Sequence, residues 1–439
     1  MCRWRTPAFV LAARAAFTLL FGISVFSQSD PSQTRARWER LVYEDVKTLL
    51  QETSAEIAKN PQNAVALRMR SSAYYRNSEA EKGKTDAVAA LALLKSPVKA
   101  EEFEAKCYAE RRMEKYDEAL LDCTKAIELD PKFAWAYYNR GRAYEGKKLY
   151  KEAVTDQTKA IELSPAFHDA YTSRGQLHGL NGDFDKAVAD YTKAIALDPK
   201  RASEYYSRAY WYYQKKEYDL AIADLNRSIE IDPKSADSYG NRGNAYTAKG
   251  QYDTAIADFT KAIELDPKGR AWYFRGSAYL DKDEYEKAIT DLSKAIELAP
   301  QAAEGYYARG RSYHSKKQTA LAKADLTKAI ELSPKWAGPY YSRGWVHYDE
   351  GQFELAIADY TKAIDLYPKI AVAWNNRANA YIAKKDYDRA LADATKAIEL
   401  DPKNYRPYLI RALAYDAKGE KTLAEKDRVK AKELEGQPR

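Results

Sequence analysis

Down most of its length the chain repeats one pattern of apolar and polar positions. The strings ELDP, ELSP, ALDP, EIDP, ELAP and DLYP recur, and their prolines stand at Pro131, Pro165, Pro199, Pro233, Pro267, Pro300, Pro334, Pro368 and Pro402. Seven of the eight gaps are 34 residues and one is 33; Pro97 lies 34 before Pro131, and Pro61 lies 36 before Pro97. With slot 34 assigned to the proline, and the short unit counted back from Pro300, slot 6 is Phe103, Tyr137, Tyr171, Tyr205, Tyr239, Trp272, Tyr306, Tyr340, Trp374 and Tyr408. Slot 10 is glycine or alanine in every unit from residue 132 on, slot 13 is usually aromatic, slot 22 is mostly alanine, and slot 29 is alanine or a near equivalent. Spacings of three, four and seven between these slots predict two amphipathic helices per unit, over slots 3–15 and 19–32. A turn carrying Lys, Gly or Asp separates them, and the Asp-Pro or Ser-Pro step ends the second.

One such helical pair has apolar slots on both faces and cannot bury them alone, so neighbours must stack. The chain is therefore expected to be one all-α array: a leader over 1–27, a linker and covering helix over 28–61, two divergent units over 62–131, eight well-matched units over 132–402, and a capping repeat with a tail over 403–439. The cap is expected because Lys426, Arg428, Lys430, Lys432 and Glu433 make its last helix polar. The covering helix is expected over residues 35–59.

The unit containing Tyr239, Gly243, Tyr246, Ala255, Phe259, Ala262 and Pro267 meets the signature of the tetratricopeptide repeat family, which the array closely resembles. The resemblance implies an α-solenoid, a right-handed superhelix whose concave groove is lined by the first helix of each unit.

Two charged ladders accompany the pattern. Slot 9 is arginine in nine successive units, from Arg140 to Arg411, and slot 25 is aspartate in ten, from Asp122 to Asp427. A row of arginines invites a phosphate or nucleic-acid reading, but one aspartate per unit matches it, and the planar guanidinium suits a partly buried carboxylate. Each slot 9 arginine is expected within hydrogen-bond reach of a slot 25 aspartate.

If the groove follows the family, slots 4, 7, 8, 11 and 14 face it, and the first four supply Trp135, Tyr138, Asn139, Arg142, Tyr206, Asn241, Asn244, Arg270, Tyr273, Phe274, Tyr307, Arg311, Tyr341, Trp345, Asn375, Asn376 and Asn379. Asparagine amides bond both the N–H and the C=O of an extended peptide, and rigid tyrosines give contact area at low entropic cost. The family's clamp for a C-terminal carboxylate needs basic pairs at slots 4 and 8, and no unit has one, so recognition resting on negative charge is disfavoured.

Composition narrows the rest. The chain of 439 residues is 45% hydrophobic and 31% charged, with 36 tyrosines, which suits a folded protein rather than a disordered or polytopic one. Its charge, 71 basic against 64 acidic, is too even to argue for nucleic acid. Arg3, Arg5 and Arg14 before the uncharged stretch from Ala15 to Phe26 read as a secretory signal cut near Ser27, implying export to the periplasm or beyond; an uncleaved anchor is the alternative. Beyond the leader only Cys107 and Cys123 remain, at slots 10 and 26 of the unit 98–131, where a disulfide is one outcome and two buried thiols the other. His178 and His347 fall in the aromatic slot 13, while His168 and His314 read as isolated, and none has metal-ligand spacing. There is no phosphate loop, no HExxH, no CxxC and no GxSxG, so neither catalysis nor a cofactor or metal is expected. The sequence reading is a non-catalytic scaffold that binds an extended peptide or partner protein; the alternatives are a membrane-anchored envelope assembly factor and a regulatory subunit of a separate enzyme.

Overall fold

The computed structural model describes residues 31–435; residues 1–30, with the leader and its cut site, and residues 436–439 lie outside them. Every regular element among the described residues is an α-helix. They fall into two compact units that divide between Lys216 and Glu217. In the unit from 132 the helices run Ala134–Gly146 and Tyr150–Leu163, the expected slots 3–15 and 19–32, and this register is kept from repeat to repeat.

Local chemistry sets the boundaries. The first helix ends in a left-handed residue at slot 17, Lys148 at φ 61° and Gly250 at φ 73° among them. In the first of these the Leu149 amide donates to the Tyr144 carbonyl and the Lys148 amide to that of Glu145, both at 2.9 Å, the hydrogen-bond pair of a Schellman motif. The second helix stops because proline cannot continue it, and the preceding aspartate folds the exit into an Asx turn: Asp266 Oδ1 accepts from the Lys268 amide at 3.0 Å. The slot 6 ring then seals the turn, with Trp272 Nε1 donating to the Pro267 carbonyl and Trp374 Nε1 to that of Pro368, both at 2.9 Å. Tyr137 and Tyr408 do the same through their hydroxyls, so tyrosine and tryptophan serve where phenylalanine would leave that carbonyl bare.

Slot 10 is small because slot 26 of the same unit lies against it. A Cβ on Gly243 would stand 2.6 Å from the Phe259 ring. In the divergent unit the same two slots hold Cys107 and Cys123, whose Cα atoms are 5.3 Å apart and whose sulfurs are bonded.

The arginines and aspartates form pairs within each repeat. Arg140 Nε and Nη2 donate to the two Asp156 oxygens at 2.8 and 2.9 Å, and the fork recurs at Arg174, Arg242, Arg275, Arg309, Arg343, Arg377 and Arg411. Nη1 reaches back to slot 27 of the preceding repeat, as in Arg343 to Thr327 Oγ1 at 3.0 Å, so one guanidinium ties three helices together. The ladder starts earlier than the sequence reading placed it, with Arg70 on Asp86, and in the unit 98–131 Lys106 substitutes, 2.8 Å from Asp122. A second, outer ladder joins slot 16 lysines to slot 20 acids of the preceding repeat, such as Lys249 to Asp219, whose exposed partners make it weak.

Within each unit successive first helices touch one another, 303–315 against 271–281 and 337–349 for example. That side is the inner face of each stack. Among the described residues no helix is long and apolar enough to cross a membrane.

Residues 35–59 are not one covering helix. The segment is two helices, Pro31–Glu44 and Val46–Lys59, broken at Asp45, whose carboxylate accepts from the Thr48 amide at 3.0 Å and so starts the second. The next pair, Ala64–Arg76 and Ala80–Leu93, opens the divergent repeats.

Candidate functional site

The inner face has different fates in the two units. In the first, helix 31–44 lies on it. Trp38, Leu41 and Val42 are buried in one cluster with Ala66, Met69, Phe133, Trp135, Ala136, Phe167 and Ala170. Tyr43 stacks on Trp135 at 6.3 Å between ring centroids and meets Phe167 edge-on, and the Arg35 guanidinium sits 3.8 Å from the centre of the Phe133 ring.

Three of the residues assigned to the groove by sequence are packed into this seat. Trp135 is 7% exposed and Tyr138 packs on Phe167 with ring centres 5.0 Å apart. Asn139 is fully buried: its Nδ2 donates to Glu104 Oε1 at 2.6 Å, and its Oδ1 accepts from Arg111 Nε at 3.2 Å. Arg142, the fourth groove residue on this helix, keeps 34% of its side chain exposed and stands 3.1 Å from Glu145. Beneath them Arg68, 1% exposed, pairs with Glu104 and lies over the Trp135 ring. The missing amphipathic signal was long-range, since nothing in residues 31–44 says which surface their apolar stripe will meet.

Two further polar clusters flank this seat. His168 is not isolated: its ring nitrogens face Asp169 at 3.2 Å and Glu204 at 3.5 Å, and Arg201 approaches it at 3.0 Å. Burial alone would raise the Asp169 carboxyl, but Arg76, with His168 and Arg201, holds it well below the usual carboxylate range. Arg111 and Arg112 occupy slots 14 and 15 and have no carboxylate within ion-pair distance among the described residues. Burial, then the neighbouring charges of Arg112 and Arg142, pushes Arg111 down to about 10. A search for basic pairs confined to slots 4 and 8 does not see this one.

In the second unit no described helix of that unit lies over the inner face, and its residues divide into packed and presented ones. Phe274 stacks on Phe259 with ring centres 5.9 Å apart and belongs to the core. Tyr273 meets Phe274 edge-on, Tyr307 packs on Trp336 at 4.6 Å, and Tyr341 packs on Tyr360 at 5.9 Å. Several asparagines spend their amides internally: Asn376 Nδ2 donates to the Tyr341 hydroxyl at 3.1 Å, Asn375 to Asn376 at 3.1 Å, and Asn379 to the Tyr348 hydroxyl at 2.8 Å. Asn241 and Asn244 are half-buried, as is Tyr206 in the first unit.

What remains presented is Trp345, 46% exposed, with its ring edge against His314, which in turn bonds Asp349 at 2.8 Å and is therefore not isolated either. Arg270 and Arg311 are exposed, the second 5.8 Å from the Tyr307 ring centre. Three aliphatic residues at inner-face slots of the next two first helices are also exposed, Val372, Leu409 and Leu413. Leu409 and Leu413 lie in the segment 403–436, whose sequence predicts a capping repeat and contributes no residue to the expected groove.

Family profiles described as Tetratricopeptide repeat match residues 168–201, 236–268, 337–370 and 371–404, and a second of the same description matches 136–167 and 303–335. A profile described as TPR repeat matches 108–148, 209–246 and 276–317. The chain belongs to the tetratricopeptide repeat family. Comparison with curated proteins returns no match. Among solved structures, this tetratricopeptide chain is similar to YrrB, described as a TPR protein with an unusual peptide-binding site, at 25% identity, covering 44% of this chain and 97% of that one with a TM-score of 0.38. It is also similar to a tetratricopeptide repeat protein from Parabacteroides merdae (22% identity, 55% and 95% covered, TM-score 0.47) and to the Cut9–Hcn1 hetero-tetramer of the APC/C (16%, 90% and 92%, 0.48).

Proposed function

We propose that this tetratricopeptide protein is a non-catalytic interaction scaffold that holds a peptide segment or partner protein on the inner face of residues 236–417. Tetratricopeptide membership supports the protein-binding class. The observation that supports the place is the exposed indole of Trp345, with Val372, Leu409 and Leu413 also exposed at inner-face slots of the next two first helices, on a face whose other rings are half-buried. Large exposed aromatics rimmed by polar groups mark binding surfaces. Trp345 and the three aliphatic side chains supply apolar contact, and Arg270 and Arg311 supply donors for backbone carbonyls or carboxylates. Few asparagines are left to read a peptide backbone, so side-chain anchoring dominates over amide ladders.

The leader over 1–27 and the bonded Cys107 and Cys123 support work in an oxidising compartment outside the cytosol. Affinity purification of wild type and of a Trp345→Ala/Leu413→Ala variant from the native cell, compared by mass spectrometry, tests the reading. Loss of one partner from the variant, with its melting unchanged, is expected. Retention of every partner counts against it.

A further inference from the structure

We infer that the seat of residues 31–44 is a binding site for an amphipathic helix, and that the chain's own helix is a removable occupant of it. The inference rests on the first unit alone and is independent of the ligand proposed for residues 236–417.

Four observations carry it. The helix presents an ordered set of anchors to the seat: Arg35 over Phe133, Trp38 and Val42 in the apolar cluster, and Tyr43 against Trp135. Spacings of three and four place Arg35, Trp38 and Val42 on one stripe, as in helix-in-groove recognition, and Tyr43 stands at its edge. Second, the fit is imperfect. The Tyr43 hydroxyl is buried without a hydrogen-bond partner, and burial with Glu104 close by pushes the Glu39 carboxyl up, against the pull of Arg35 and Arg68. An orphaned hydroxyl and a carboxyl carried out of water weaken the hold of this helix relative to a partner helix that lacks them. Third, the break at Asp45 is a ready hinge, because Asp45 caps helix 46–59 whether or not 31–44 is docked. Fourth, repeats stack without such a cover: among the described residues of the second unit no helix covers the inner face of 236–417, and its helices pack in the same register.

The partner that fits is a helix with a basic residue, an aromatic one turn later, an aliphatic one turn after that and an aromatic next to it. Tethered by a single residue, the resident helix competes at an effective concentration on the order of millimolar. A free helix at about 10 µM is therefore disfavoured roughly a hundredfold until the resident is released.

The test uses the full chain and a fluorescent synthetic peptide of residues 31–44. Wild-type protein is compared with a Trp38→Glu/Val42→Glu variant, whose charges cannot enter the seat. The variant is expected to bind the peptide at one to one, more tightly than wild type by about the ratio of the millimolar effective concentration to the peptide's own Kd, roughly a hundredfold for a Kd near 10 µM, and to ignore a peptide carrying Trp38→Glu. A helical variant that binds no peptide, or wild type binding as tightly as the variant, overturns the inference. Should the variant lose its helical signal, amide exchange on wild type decides. Exchange of residues 36–44 ahead of helices 64–76 and 134–146 supports a removable occupant; exchange only together with them makes the helix part of the core and overturns it.

Discussion

Arg242→Ala isolates one rung of the arginine ladder. The guanidinium makes three short hydrogen bonds, Nε and Nη2 to Asp258 at 2.8 and 2.6 Å and Nη1 to Asn226 at 2.7 Å. The side chains are 19% and 8% exposed, which puts the pair between two known limits. Stripping one partner from a fully buried pair costs about 3–5 kcal/mol, and exposed pairs contribute about 0–1 kcal/mol. Asp258 is the more buried of the two, and water entering the vacated space relieves only part of its isolation. The loss is therefore set at about 2–4 kcal/mol, near the buried limit. Urea unfolding, read together with amide exchange in helices 236–248 and 252–265, measures it where the rung lies, since an array of repeats need not unfold in one step. Asp258→Ala costs a similar amount, and the double change Arg242→Met/Asp258→Leu costs less than either single one, because it leaves no charge stranded. Lys249→Ala is the control: its partner Asp219 is 83% exposed, so the loss stays under about 0.5 kcal/mol. A single variant within about 0.5 kcal/mol of wild type, or a double variant equal to the sum of the singles, would refute the reasoning.

Other predictions follow from particular contacts. Glu110 occupies slot 13 of the divergent unit, where other repeats hold an aromatic; burial and the adjacent Asp122 push its carboxyl up to about 8. The folded chain then binds the extra proton between the ordinary glutamate range and that value, so stability falls as pH rises through this window. Glu110→Gln removes that slope, and melting curves at pH 5 and pH 8 show a gain over wild type only at the higher pH. Lys317 adopts φ 59° at the slot where Gly250 and Gly351 sit at 73°, so Lys317→Gly gains up to about 1 kcal/mol in urea unfolding. Cys107 and Cys123 close a loop across 16 positions, so the double change to alanine costs about 3 kcal/mol and abolishes any effect of reductant on unfolding.

Much of this fold is written in the repeat itself. Proline, slot 6 aromatic and slot 10 glycine specify a turn, a seal and a close helix crossing through contacts inside one unit, so their spacing alone locates the helices. The arginine and aspartate rows are legible for the same reason: Arg242 and Asp258 are sixteen residues apart and meet in the same pair of helices. Contacts between distant segments are not legible. Nothing local tells Trp38 that it will meet Phe133 and Phe167, and Asp45 breaks a pattern that reads equally well as one helix. The groove suffers most, because a residue's slot gives its direction but not its neighbours. Asn376 points as expected and still donates to Tyr341, and Asn139 lies sealed beneath a segment more than ninety residues earlier in the chain.

The central claim is that partners bind the inner, first-helix face of residues 236–417. A photo-crosslinking amino acid placed at Trp345, and in a second strain at Leu355 on the following second helix, which is 52% exposed, tests it in the native cell. A discrete cross-linked species from position 345, absent from position 355 and lost when Leu413→Ala is added, is the predicted result. The same species from position 355 alone, or from both positions regardless of Leu413, would contradict it.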